Sequence, residues 1–238
     1  MPTVLRPVAG PLAGISPVTC GSGESFSHLA QQLHDISCAK LKQSGKKTRN
    51  TGIVTITSIN PATNQTLKTY PALSRSETAT AIERADQAYG QWRTTSFGER
   101  KKIMLSVARQ LRERAGEFSR LITLDMGKRI SESEYEIGYC ARIAEFYANG
   151  AEKFLADEPI QLDDARAYIQ YAPLGVLMGV MPWNFPFYQV IRFAAPNIMA
   201  GNTVMVKHAS NVPQCAEAIT KLFQDCGLPE GVYTNLFI

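Results

Sequence analysis

Three polar side chains in this sequence follow apolar, strand-like segments and could act on a ligand. Asn184 stands in Met-Pro-Trp-Asn after one such segment, and Lys207 and Ser210 follow another. The Asn184 amide could donate a hydrogen bond to an oxygen that develops negative charge. Lys207 and Ser210 could bind ribose hydroxyls or a phosphate. These residue types suit oxyanion stabilisation and nucleotide binding.

Each of these side chains also has a purely structural interpretation. Asn184 lies between Pro182 and Pro186, and Pro186 suits the first turn of a following helix, so the amide could simply bond to local backbone as a turn or capping residue. Lys207 could extend its stem along apolar surface toward solvent. Ser210 could cap a helix. The local sequence favours the structural interpretation for Asn184 and leaves the other two open.

The surrounding segments predict an α/β fold with a parallel sheet. The order is strand, helix, strand, helix, strand, at about residues 175–182, 186–200, 203–208, 213–226 and 232–238. Ligands of such sheets bind beyond the carboxyl ends of the strands, where all three candidate residues stand. The first strand is a continuous apolar run, which predicts burial on both faces. With three strands, the sheet is expected to be incomplete.

The preceding residues predict a hairpin and a helical region. Asn60-Pro-Ala-Thr-Asn separates two β-rich runs. Four amphipathic helices are expected after the hairpin: the first begins at Ser76, the second begins at Ser96, the third ends at Gly127, and the fourth covers 131–155. Three aromatic residues of these helices are expected to lie in the core rather than around a cofactor: Trp92, Phe146 and Tyr147. A half-exposed strand is expected at about 165–174.

Composition indicates a soluble globular protein. Of 238 residues, 45% are apolar and 19% are charged, and no apolar run is long enough to span a membrane. The net charge of +4 is accounted for by residues 1–50, which hold six basic and two acidic residues. We expect a flexible leader there, with one possible helix at 26–41. No nucleic-acid surface is expected, because no aromatic residues are interleaved with those basic ones.

The cysteines and histidines indicate neither a metal site nor disulfides. Five cysteines and three histidines are scattered without paired spacing. We therefore expect no metal, and reduced thiols in an intracellular, cytoplasmic protein. An organelle leader is only weakly suggested by residues 1–50.

From about Thr55 onward, the sequence resembles the N-terminal half of an NAD(P)-dependent aldehyde dehydrogenase. The resemblance rests on motifs in that family's order and spacing: SINPATNQ, LDMGK, APLGVLMGVMPWNFPF, AGNTVMVKHAS and GLPEGV. Within the family, PWNFPxxQVxR and KHAxN are most similar to bacterial succinate-semialdehyde dehydrogenases. The resemblance implies a truncated aldehyde dehydrogenase-like fold over 51–238, an aldehyde substrate, and NAD or NADP as cofactor.

The resemblance also implies roles for individual residues. Asn184 matches an asparagine of the oxyanion hole, and Lys207 matches a lysine that contacts the adenosine ribose. Ser210 stands where NAD-preferring relatives often have glutamate, so a 2′-phosphate would meet no repulsion. The family's cofactor-lining segment corresponds to three residues of this chain: Met181, Pro182 and Trp183. Arg192 matches an arginine for the substrate carboxylate, although a helix arginine facing solvent or an acidic neighbour is the open alternative.

The same resemblance predicts missing parts. The family's nucleophilic thiol, its general-base glutamate and its pyrophosphate-binding helix would all lie beyond Ile238. We therefore expect the chain alone to be inactive. The alternatives are a non-catalytic member that associates with full-length subunits through the 165–174 strand, or the product of an interrupted gene. The complete family member is expected to be a homo-oligomer.

Overall fold

The computed structural model describes residues 54–238, in two units. One unit contains residues 54–151 and 173–238, and the described part of the other contains residues 152–172. The expected leader, its possible helix at 26–41, and both Cys20 and Cys38 lie outside the described residues.

The larger unit begins with the expected hairpin. Strand β1 (Thr55–Ile59) pairs antiparallel with β2 (Thr66–Pro71). In the connection, the Asn60 side chain accepts from the Ala62 amide at 2.9 Å, and Asn64 adopts a left-handed φ of 57°. Asparagine tolerates this conformation better than most residues, which explains the turn at this place.

Four helices follow: α1 (Arg75–Trp92), α2 (Phe97–Glu113), α3 (Ala115–Met126) and α4 (Ile130–Phe154). The expected start of α1 at Ser76 is slightly too late, because the helix begins at Arg75. Ser74 is the capping residue and forms a reciprocal capping box with Glu77. Ser96 caps α2 as expected. Gly127 ends α3 with a φ of 77°, as expected for a left-handed terminator.

The predicted parallel sheet is confirmed. Strand β5 (Val176–Met181), helix α5 (Tyr188–Met199), strand β6 (Thr203–His208), helix α6 (Pro213–Asp225) and strand β7 (Tyr233–Asn235) follow one another along the chain. The strands lie in the order β5-β6-β7, all parallel. Central β6 is almost wholly buried.

The expectation that the first strand of this sheet is buried on both faces is wrong. Within residues 54–238, β5 has β6 as its single neighbouring strand, and the Val180 side chain is 59% exposed. An apolar run therefore indicated a strand here but not its position in the sheet.

The core includes only part of the expected aromatic set. Trp92 is buried, and its indole Nε1 donates to the Ile198 carbonyl at 3.0 Å. Tyr147 packs half-buried against the core, but Phe146 is 58% exposed, so its assignment to the core is wrong. Most of the buried residues of α4 are small, and Phe146 is not among the buried ones. The small residues are Ser133, Cys140, Ala141, Ala144, Ala148 and Ala151.

The unit at 152–172 contains a short antiparallel pair, β3 (Glu158–Ile160) and β4 (Ala167–Ile169). The Tyr171 hydroxyl donates to the Glu158 carboxylate at 2.6 Å. The strand expected over about 165–174 is thus only three residues long, and its partner β3 was not predicted. Across residues 54–238, no helix is both long and apolar enough to cross a membrane.

Candidate active site

The carboxyl ends of β5 and β6 lie side by side, as the sequence predicted. Met181 and His208 are paired in the sheet register, and the Ala209 amide donates to the Met181 carbonyl at 3.0 Å. The segment Pro182–Asn184 and the segment Lys207–Ser210 therefore occupy one edge of the sheet. This is the edge at which ligands of open parallel sheets bind.

The turn that carries Asn184 is anchored from another helix. A carboxylate oxygen of Glu136, on α4, accepts from the amides of Phe187 at 2.9 Å and Tyr188 at 3.0 Å. These are amides at the start of α5, where the helix itself supplies no acceptor. The assigned helix α5 begins at Tyr188, and Pro186 lies in the turn that leads into it, which is closed by a bond from the Gln189 amide to the Phe185 carbonyl at 3.0 Å. The capping role falls to Glu136 instead of Asn184.

Glu136 is itself one half of a buried ion pair. Its second carboxylate oxygen binds the Lys128 ammonium, and both side chains are nearly inaccessible to solvent. The ammonium also lies 3.8 Å from the centroid of the Phe185 ring, within the range of a cation–π contact. Lys128 and Glu136 together contact the side of the turn that follows Asn184.

His208 holds the turn from the side of the sheet. Its Nε2 lies 3.2 Å from the Pro186 carbonyl, and its Nδ1 lies 3.3 Å from the Asn235 side chain. Since a carbonyl can only accept, Nε2 carries the proton. Burial lowers the pKa of His208 below its ordinary value, which favours the neutral ring.

Acidification should therefore weaken the fold through His208. With a folded-state pKa below the unfolded one, the unfolded chain binds the proton first, so stability falls as the pH drops below about 6.5. Between about pH 7.5 and about pH 5.5, we expect the loss in unfolding free energy to be about 1 kcal/mol smaller in His208→Gln than in the wild type. Urea unfolding at both pH values measures this; equal losses would contradict a neutral, buried His208.

The apex of the turn is open, in contrast to its anchored ends. Trp183 is 50% exposed, and Asn184 and Phe185 are also exposed. The Asn184 side chain forms no hydrogen bond with any residue in the described range 54–238. An amide on a fixed backbone with free N–H groups is available to donate to a ligand, so the structure does not support the local turn or capping interpretation of Asn184.

The end of β6 presents a cationic and a hydroxylic side chain. Lys207 is half-buried and stands opposite Val180 in the register, while Ser210 is exposed. The capping interpretation of Ser210 is wrong, because the start of α6 is capped by Asp125, which accepts from the Cys215 amide at 3.0 Å. An ammonium and a hydroxyl are groups that could bind a phosphorylated ribose at this edge.

Arg192 lies on α5, one turn beyond the anchored amides. It is exposed, and its guanidinium carbon lies 5.8 Å from the centroid of the Tyr188 ring. Within the described part of the chain it forms no ion pair, so the alternative of an acidic neighbour finds no support there. Arg192 borders a pocket of about 410 Å³ with six further residues: Tyr139, Arg142, Ile143, Phe146, Tyr147 and Tyr188.

The described cysteines are unsuited to nucleophilic attack. Cys140 and Cys215 are fully buried, and burial raises the pKa of both thiols well above the ordinary value. Burial also raises the pKa of Cys226. The reactive form of cysteine is the thiolate, so these thiols are inert at neutral pH. Among residues 54–238, no group of three or more His, Cys, Asp or Glu side chains is arranged to hold a metal.

Sequence reasoning missed the residues that support the turn. Lys128 lies in the LDMGK motif but was given no role, and no role was predicted for Glu136 or His208. A weak signal existed, since Lys128 directly follows the glycine that ends α3. No local pattern shows that a lysine and a glutamate of successive helices are buried together.

The fold and this edge of the sheet define an α/β protein of Rossmann-like type, and comparison with known proteins gives the family. The aldehyde dehydrogenase family model matches residues 48–237, so the chain belongs to the aldehyde dehydrogenase family. It is 46% identical over 183 residues to a probable succinate-semialdehyde dehydrogenase [NADP(+)] of Synechocystis sp., covering 77% of this chain and 40% of that protein. The corresponding enzyme of Deinococcus radiodurans is 46% identical over 180 residues, covering 76% and 38%.

Solved structures show the same relationship. Succinic semialdehyde dehydrogenase from Streptococcus pyogenes, in complex with NADP+ as the cofactor, superposes with a TM-score of 0.75 at 38% identity, covering 77% of this chain and 40% of that one. The chain thus spans about 40% of the length of the relatives it matches. Its fold is the corresponding part of the aldehyde dehydrogenase fold.

Proposed function

We propose that this chain supplies the oxyanion-binding and adenosine-binding part of an enzyme that oxidises succinate semialdehyde to the carboxylate with NADP+. The observation that carries this proposal is the Asn184 amide, exposed and unbonded on a turn whose two ends are fixed. Catalysis is favoured by donors that are already oriented where charge develops. The NADP+ dependence of the Synechocystis and Deinococcus relatives supports the cofactor.

Each residue has a stated part in this proposal. Asn184 donates to the aldehyde oxygen as it gains negative charge. Lys207 and Ser210 bind the ribose and its 2′-phosphate, and the cofactor is lined by Met181, Pro182 and Trp183. Arg192 binds the substrate carboxylate. NADP+, when bound, supplies the hydride acceptor.

The chain alone is proposed to be inactive. The reaction requires a thiolate, and the cysteines of the described residues are buried with raised pKa values. The purified chain, given NADP+ and succinate semialdehyde, should produce no NADPH at steady state. Sustained NADPH absorbance would contradict this part of the proposal.

Ser210→Glu tests the cofactor assignment. A carboxylate beside the 2′-phosphate adds like-charge repulsion, so NADP+ affinity should fall roughly tenfold, while NAD+ affinity changes little. Ser210→Gln, of similar size but neutral, is the matched control and should stay near the wild type. Calorimetric titration of the three proteins with both nucleotides measures this. An equal loss for NAD+ and NADP+ would mean that position 210 does not face the 2′-phosphate.

A second candidate function is that of a non-catalytic subunit that joins full-length family members. The pair β3–β4 favours this, because two short strands alone are marginally stable and the hairpin exposes Ile160 and Leu162. On size-exclusion chromatography, the chain should co-elute with the Synechocystis relative if this role is right. Separate elution of the two proteins would exclude it.

A further inference from the structure

A second arginine, Arg142 on α4, borders the same pocket as Arg192 on α5. Two aromatic rings connect them. Arg142 lies 5.1 Å from the Tyr139 ring centroid, the Tyr139 and Tyr188 rings are 5.6 Å apart, and Arg192 lies 5.8 Å from the Tyr188 ring. The two guanidinium groups therefore flank one continuous pair of rings.

Neither guanidinium is neutralised within the described residues. Four other arginines do meet carboxylates there: Arg84, Arg109, Arg112 and Arg114. In residues 54–238, Arg142 and Arg192 form no ion pair, and no acidic side chain lines the pocket between them. The pocket is thus a concave, aromatic-walled site with two uncompensated positive charges.

This arrangement suits a carboxylate ligand. A guanidinium that stacks on a ring keeps its in-plane N–H groups free, and those groups match the two oxygens of a carboxylate. The rings offer apolar surface to a short carbon chain. Two arginines also attract an anion more strongly than one, and the attraction weakens with salt.

We propose that Arg142 is a second anion-binding residue of this pocket, and that with Arg192 it binds the carboxylate of a short aliphatic ligand. The identification of that ligand with the aldehyde substrate rests on the proposed function. Binding of a carboxylate by Arg142 does not rest on it.

Succinate, a stable short-chain carboxylate, is the probe for the test. Ligand-observed NMR titrations of the full 238-residue chain in chloride buffer should show saturable binding that weakens as salt is added. Arg142→Gln should raise the dissociation constant roughly tenfold, the usual scale for one charge-assisted hydrogen bond. Arg142→Lys should recover part of the lost affinity, because lysine keeps the positive charge but lacks the paired N–H groups of the guanidinium.

Two controls separate anion binding from general damage. Arg109→Gln removes an exposed arginine of α2 that already faces Glu113, and it should leave succinate binding within twofold of the wild type. Succinamide, the neutral analogue, should bind weakly and show no response to Arg142→Gln. Circular dichroism confirms that each variant is folded.

Two results would overturn the inference: no succinate binding by the wild-type chain, or an unchanged dissociation constant in folded Arg142→Gln. NADP+ titrations of the same samples keep this distinct from the proposed function. If the chain binds NADP+ but Arg142→Gln does not change succinate binding, only the role of Arg142 as a second anion-binding residue is refuted. If the chain does not bind NADP+ but Arg142→Gln weakens succinate binding, the cofactor assignment is refuted and the anion site is retained.

Discussion

Glu136→Ala is expected to destabilise the chain by about 3–5 kcal/mol, the usual cost of removing one member of a buried ion pair. The Lys128 ammonium would be left buried without its counter-charge, and the Phe187 and Tyr188 amides would lose their acceptor. Globular proteins have about 5–15 kcal/mol of stability in total, so this is a large share. Urea unfolding followed by circular dichroism measures the loss.

Three further variants separate charge from capping. Glu136→Gln keeps an oxygen for the two amides but leaves Lys128 unpaired, so its loss of stability measures the contribution of the negative charge. Lys128→Met combined with Glu136→Gln removes both charges and should recover part of the loss, since a neutralised pair often costs little. Glu134→Ala, at an exposed position of the same helix, should lie within about 0.5 kcal/mol of the wild type. Equal stability of Glu136→Ala and Glu134→Ala would show that the ion pair does not hold the turn.

The general architecture was predictable because its signals are local and periodic. The alternation of apolar runs with amphipathic segments predicted the parallel sheet, and Ser96 and Gly127 marked helix ends through their own backbone preferences. The placement of Asn184 and Lys207 at one edge followed from the topology alone.

The errors arose where the answer depends on distant neighbours. Whether β5 is a central or an edge strand is decided by which strands pair with it, and its own apolar run carries no such information. Phe146 was assigned to the core by its type, whereas most of the buried residues of α4 are small. The capping of α5 by Glu136 joins residues fifty-one and fifty-two positions apart, beyond the range of any capping motif.

Three anchors of the turn explain why its apex can be polar and exposed. Glu136 fixes the amides after the apex, and His208 fixes the Pro186 carbonyl between them. The Ala209 amide fixes Met181 before it. With the backbone held at these points, the Asn184 amide needs no local hydrogen bond to keep its position, and its donors stay available for a ligand.

Asn184→Ala should lower kcat by roughly 10²–10³-fold in a complete enzyme, the usual cost of losing one oxyanion donor. A suitable enzyme is a chimera in which residues 54–238 replace the matching segment of the Synechocystis relative, which is 46% identical. Because the donor acts on charge that develops in the transition state, kcat should fall more than KM changes.

Asn149→Ala, at an exposed position on α4, is the matched control and should leave kcat unchanged. The stability of Asn184→Ala should also be near that of the parent, because its side chain forms no hydrogen bond within residues 54–238. A fall in kcat without a fall in stability is therefore the signature of an oxyanion donor. A loss of stability with kcat intact would instead assign Asn184 to the folding of the turn, which the free amide at its apex argues against.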